Sequence, residues 1–162
     1  MIQIIQAETC AHLQALQVLF EEYVASLDFD LSFQNFTEEY ANLPGSYAPP
    51  NGRLLLAHYS DQATGCVALR KLADGICEMK RLYVRPQYRR LRIGKALAEA
   101  VIIEARKAGY EVMRLDTVPS MAHAQVLYEL LGFRDIPPYC HNPIEGARFM
   151  ELRLDVRQLE VT

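Results

Sequence analysis

The stretch from Glu78 to Leu97 constrains this chain more than any other. Strand-like Glu78-Met79-Lys80-Arg81-Leu82-Tyr83-Val84 runs into Arg85-Pro86, then the basic turn Arg89-Arg90-Leu91-Arg92-Ile93-Gly94-Lys95, then an amphipathic helix. Ile93, Leu97, Ala100, Val101, Ala105 and Ala108 form one apolar stripe, so the helix must cover a sheet, and Gly109 is placed to end it. The first turn of such a helix holds N–H groups without intrahelical partners and carries partial positive charge. Gly94 lets a ligand come close to the backbone, while Arg89, Arg90, Arg92 and Lys95 add charge suited to phosphate. A solvated basic turn is the plain alternative.

The charge elsewhere decides what kind of anion to expect. Net charge is −3 and the pI about 5.8, so nucleic acid is not an expected partner. The basic residues are local: Lys80, Arg81, Arg85, Arg89, Arg90, Arg92 and Lys95 fall within sixteen positions, which suits a compact polyphosphate. There is no G-x-G-x-x-G, no Walker lysine motif and no tryptophan. At 162 residues, with 51% hydrophobic and 23% charged, a single domain over 1–162 is expected. No apolar run is long enough for a bilayer and the N-terminus lacks a signal layout, so the reading is cytoplasmic with no membrane partner. Cys10, Cys66, Cys77 and Cys140 lack C-x-x-C spacing and read as free thiols, with no metal site.

Along the chain, Gln3-Ile4-Ile5 reads as a strand, and Leu13, Leu16, Leu19, Phe20, Tyr23, Val24 and Leu27 recur at helical spacing. Residues 28–50 are less regular, with a short helix around Phe33 to Leu43, and form a candidate substrate-facing segment. Residues 54–59, 65–70 and 76–84 read as three consecutive antiparallel strands, with Asp74-Gly75 marking the second hairpin. After the helix come a strand from Glu111 to Thr117, a second helix ending at Leu131-Gly132-Phe133, and strands at 133–136 and 147–154. The class is mixed α/β with an antiparallel front half and a helix crossover at the phosphate site.

Val84-x-Pro86-x-x-Arg89-x-x-x-x-Gly94-x-x-Leu97 resembles the acyl-coenzyme-A motif of the GNAT superfamily of acyltransferases, R/Q-x-x-G-x-G/A. Arg89 takes its first position and Gly94 its end. Arg92 stands where the family has its first glycine, and is expected at negative φ with its side chain in solvent. Ala124-x-x-Leu127-Tyr128-x-x-x-Gly132-Phe133 resembles the family's A-x-x-L-Y-x-x-x-G-F signature. Met121 replaces the asparagine that opens this helix, beside Ser120 as an expected cap. The resemblance covers about residues 50 to 135. It implies a central, mostly antiparallel sheet flanked by helices. Its fourth and fifth strands splay around a thioester, near Met79 to Val84 and Arg114 to Val118. It also implies acetyl-CoA as cosubstrate and is compatible with a homodimer through the final strands.

In such a site the resemblance assigns the backbone of Leu82, Tyr83 and Val84 to the acyl and pantetheine groups. Arg89, Arg90, Leu91, Arg92, Ile93, Gly94 and Lys95 are assigned to the pyrophosphate. Tyr128 matches the tyrosine that donates a proton to the departing sulfur; alternatively it is a core aromatic on a stripe with Ala124, Leu127 and Leu131. Glu78 matches a carboxylate that deprotonates the amine, a role a raised pKa would suit; alternatively it faces solvent, paired with Lys80 or Arg114. Asp116 and Thr117 are placed to meet the acceptor amine. Tyr139, His141 and Asn142 either shape the acceptor pocket or belong to a proline-rigid connector, and His123 faces solvent or the adenine side. Cys140 carries no thiol-nucleophile signature. The expected activity is transfer of an acetyl group from acetyl-CoA to a primary amine of a small molecule or peptide by direct attack. The alternative is a noncatalytic acyl-CoA-binding regulatory module.

Overall fold

Apolar runs joined by tight turns build the front of the sheet in the computed structural model, which describes residues 1–154. Strand β1 (Ile2–Gln6) pairs antiparallel with β2 (Arg53–Tyr59), β2 with β3 (Gln62–Ala73), and β3 with β4 (Ile76–Val84). Ser60 and Asp61 both take positive φ between β2 and β3, the backbone twist that matches two antiparallel strands. The domain expectation reaches into 155–162, outside the described residues.

The strands are buried on both faces, which is why they read as continuous apolar runs rather than alternating ones. Helix α1 (Cys10–Ser26) covers one face, packing Leu16, Leu19 and Phe20 on Leu54, Leu56, Cys66 and Ala68. Its start is a capping box, with the Thr9 hydroxyl accepting from the His12 N–H and His12 Nδ1 accepting from the Thr9 N–H. Helix α2 (Phe36–Ala41), flanked by short turns, lies in the irregular segment. On the opposite face α3 (Ile93–Lys107) buries Ile93, Leu97, Val101 and Ala105 against Leu55, Val67, Leu69 and Met79. Then follow β5 (Val112–Thr117), α4 (Ala122–Leu131), β6 (Arg134–Ile136) and β7 (Arg148–Arg153).

The seven-stranded order is β1-β2-β3-β4-β5-β7-β6, antiparallel except for β4 with β5. β7 is hydrogen-bonded on both sides within the chain. Among the described residues no helix is long and apolar enough to cross a membrane.

The β4–β5 pairing covers only Ile76–Val112, Cys77–Met113 and Glu78–Arg114, although β4 continues for six further residues. The cause lies on the other side of β4. Cys66 faces Tyr83 and Ala68 faces Lys80, so Arg81 and Leu82 together oppose Val67. Arg81 sits at φ +60, the left-handed first residue of a β-bulge. A bulge bends its strand and sharpens its twist, and β4 leaves β5 just before it.

Two local expectations are corrected. Ser120 does not cap α4: a turn over Pro119–Met121 precedes it, Met121 is the cap residue and makes no side-chain bond, and Gln125 instead donates to the Val118 carbonyl at 2.7 Å. Arg92 is exposed as expected, but at φ +59 and not at negative φ. A Cβ in that region costs roughly 1–2 kcal/mol. Arg92→Gly is therefore expected to raise the melting temperature by about 2–4 °C, read by thermal denaturation; an unchanged or lower value would show that the turn tolerates the arginine without strain.

Candidate active site

A cleft of about 760 Å³ opens where β4 and β5 part. Leu82, Tyr83 and Val84 form its floor, Arg89, Arg90 and Gly94 one end, Asp116 the opposite strand and Tyr128 the α4 wall.

The basic end is a helix start. Ala96 donates the first intrahelical bond, to the Arg92 carbonyl at 3.1 Å, so the N–H groups of Ile93, Gly94 and Lys95 precede the ladder. Arg89 Nε donates to the Val84 carbonyl at 3.0 Å, and its guanidinium lies 5.9 Å from the centre of the Tyr83 ring. Packing alone does not demand a glycine at 94, since a Cβ there would meet Val84 Cγ2 at an ordinary 3.7 Å. What its absence leaves is open backbone at the cleft. The structure thus brings together Leu82, Tyr83, Val84, Arg89, Arg90 and Gly94. It does not bring in the side chains of the others: Ile93 is core, while Leu91, Arg92 and Lys95 point outward.

Tyr128 combines a core position with a place in the cleft lining. It is buried, its ring 5.7 Å from that of Phe133, yet it lines the cleft. Burial pushes its pKa well above the ordinary tyrosine value, so the hydroxyl keeps its proton at neutral pH. Its hydroxyl has no protein hydrogen bond among the described residues.

The segment 137–147 between β6 and β7 straps across the parting strands. The Tyr139 hydroxyl donates to Glu78 Oε2 at 2.6 Å, and Asn142 Nδ2 donates to Asp116 Oδ2 at 2.9 Å. Cys140 Sγ lies 3.9 Å from the same Asp116 oxygen, and the Arg114 guanidinium sits 5.6 Å from the Tyr139 ring. Tyr139 and Asn142 thus bond to side chains of β4 and β5 without being among the residues that line the cleft. Thr117 is buried and its hydroxyl has no hydrogen-bond partner among the described residues, while His123 is exposed at the cleft rim.

Glu78 differs from both expectations. It is 1% exposed and bonded by Arg70 Nε at 2.7 Å, with Lys80 Nζ at 4.0 Å. Arg114 pairs instead with Glu151. Burial alone would raise the Glu78 pKa, but the Lys80 and Arg70 charges and the Tyr139 hydrogen bond together hold it below the usual glutamate value. Asp116, by contrast, faces the cleft. Oxygens of Glu78 and Asp116 and the Cys140 sulfur lie within 4.8 Å of one another, but Arg70 and Lys80 already balance Glu78.

Three cleft residues are placed there by contacts that the sequence does not signal, although Lys80 and Arg81 belong to its basic cluster and Tyr23 to its first helical stripe. Arg81 is locked by both Glu39 oxygens at 2.8 and 3.0 Å and by Gln34 Oε1 at 2.6 Å, with the Phe36 ring 5.4 Å away. Lys80 donates to the same Gln34 oxygen at 3.0 Å, and Tyr23 of α1 packs edge-on to Tyr83 at 6.0 Å. Their partners lie some forty to sixty residues away, though Gln34 and Glu39 do fall within the segment marked as substrate-facing.

The model of the acetyltransferase (GNAT) family matches residues 14–133. This chain belongs to the GNAT acetyltransferase family. It is 41% identical over 144 residues to an uncharacterized N-acetyltransferase of Schizosaccharomyces pombe, covering 88% of each chain. A GNAT-family acetyltransferase from Staphylococcus aureus superposes with a TM-score of 0.78 at 23% identity, over 96% of this chain and all of that one. Salmonella typhimurium YncA, solved with its cofactor acetyl-CoA, superposes with a TM-score of 0.68 at 22% identity, over 96% and 95%. The protein is thus a GNAT acyltransferase enzyme, with the mixed sheet and splayed parallel pair that the motifs implied.

Proposed function

We propose that this GNAT enzyme acetylates a primary amine by direct attack on acetyl-CoA, with Asp116 taking the amine's proton and Tyr128 returning one to the departing sulfur. The observation that carries the reading is the single cleft in which β4 and β5 separate, with the α3 start at one end and Asp116 and Tyr128 on its walls.

The residues present fit the cosubstrate. Arg89 and Arg90 and the free N–H groups of Ile93, Gly94 and Lys95 suit a pyrophosphate, and Gly94 leaves the backbone uncovered. Leu91 supplies only main chain to the turn, and Arg92 and Lys95 add charge from its outer side. The backbone of Leu82, Tyr83 and Val84 at the end of the bulged strand is proposed to hold the acyl and pantetheine part. Acetyl-CoA supplies the acyl group as a thioester.

Asp116 moves to the base role because it faces the cleft and is hydrogen-bonded only by a neutral amide and a thiol. Glu78 is proposed to act behind it as a positioning residue, fixing Tyr139 and Lys80. The Tyr128 hydroxyl lines the cleft in its protonated form, the state a proton donor needs, although burial makes it a weaker acid than an ordinary tyrosine. Four free thiols fit a reducing, cytoplasmic setting.

The test is acetyl-CoA binding by calorimetry, with thiol release followed across a panel of amines. Tyr128→Phe is expected to lower kcat by roughly 10²-fold with the acetyl-CoA Kd unchanged. Binding without thiol release from any amine would leave the noncatalytic module as the reading; no binding would remove both.

A further inference from the structure

We propose that the acceptor is an amino-acid-like zwitterion: a primary amine carrying a carboxylate a few bonds away, the amine at Asp116 and the carboxylate at Lys80. This rests on the acetyltransfer reading and names its substrate class.

The inference comes from a charge census of the cleft. Arg81 is matched by Glu39 and Arg114 by Glu151. Glu78 is matched by Arg70 through Oε1 at 2.7 Å, and its other oxygen receives the Tyr139 hydroxyl at 2.6 Å. Lys80 is left with the neutral Gln34 carbonyl at 3.0 Å and, 4.0 Å away, the same Glu78 oxygen that Arg70 already holds. Its side chain is 7% exposed and lines the cleft. Asp116 is left with the Asn142 amide and the Cys140 thiol.

Arg70 and Lys80 thus share one carboxylate, and Asp116 forms no ion pair among the described residues, so this part of the cleft can offer a ligand one charge of each sign. Sequestered charges are costly unless paired. A ligand with an ammonium and a carboxylate supplies both partners at once, and the site's reduced water strengthens each contact. Burial holds the Lys80 pKa below the usual lysine value, so a carboxylate at its Nζ would secure the charged form. Acetylation then removes only one of the two contacts: the nitrogen becomes a neutral amide, Asp116 loses its partner, and the product is released. A peptide N-terminus or a lysine side chain in a protein has amides where this site asks for a carboxylate.

The test compares the standard amino acids with their amides and with the amines lacking the carboxylate, for example leucine, leucinamide and isopentylamine. Thiol release gives kcat/KM, and calorimetry on the CoA-bound protein gives Kd. At least one amino acid is expected to exceed both analogues by about 10- to 100-fold in both measures, the range of a charged hydrogen bond. In Lys80→Met that ratio is expected to collapse toward parity. Amides or simple amines turned over as well as every amino acid would overturn the inference while leaving acetyltransfer standing, as would a preference that survives Lys80→Met. Lys80-dependent binding of an amino acid without thiol release would support the ligand class and overturn the transfer step instead. The ligand comparison on the unaltered protein decides the matter even where the variant misfolds.

Discussion

Asp116→Asn is expected to cut kcat/KM by about 10²- to 10⁴-fold at neutral pH, with acetyl-CoA binding retained. The substitution keeps the side chain's shape and can still bond across the strap to Asn142, so the pocket should stay assembled. What disappears is the proton acceptor and the anion that draws the ammonium. An acceptor that is already a free base needs no proton removed, so the deficit should narrow as the pH approaches the amine's own pKa. A deficit of constant size across that range would mean that Asp116 only positions the acceptor. Glu78→Gln is the informative companion. Its carboxylate is engaged by Arg70 and Tyr139 and held below the ordinary glutamate pKa, so the change should cost stability more than it costs the pH dependence of the rate.

Arg81→Met is expected to destabilise the fold by about 3–5 kcal/mol, a fall in melting temperature on the order of 10 °C. The Arg81 side chain is 2% exposed and Glu39 14%, and removing the guanidinium leaves a sequestered carboxylate without its donor, while the Gln34 carbonyl keeps Lys80. The Arg81→Met, Glu39→Met double variant should recover much of the loss, because it removes the stranded charge as well; a double-mutant cycle reads the coupling. Activity should fall in both variants, since the same residue occupies the left-handed position of the bulge beside the parting of β4 from β5. A single-variant cost below about 1 kcal/mol would place the pair with ordinary surface ion pairs.

Much of the architecture was legible because it rests on local rules. Strand-length runs and hairpin signals placed β2, β3 and β4, the apolar stripe from Ile93 to Ala105 placed α3, and Gly132 marked the end of α4 in the left-handed conformation. The Arg89 to Gly94 turn and the Tyr128 signature pointed to the family and to a cleft between them. The cap of α4 was misread because Pro119 turns the chain before Ser120 can reach a helical N–H. Arg92 was misread because its conformation is set by the join of one turn to another, which an arginine's own preference opposes.

The sequence by itself determined the mixed α/β fold, the basic helix start and the GNAT relationship, because each depends on residues within one turn or one strand period of each other. Only the tertiary structure decided which carboxylate faces the cleft. Glu78 and Asp116 sit on adjacent strands at positions equally plausible in sequence, and what separates them is Arg70 on β3, Tyr139 on the strap and the bulge at Arg81 pinned by Glu39. Those contacts join residues 8 to 61 positions apart. Charge pairing over such distances is fixed by how the layers pack, and no periodicity in the chain records it.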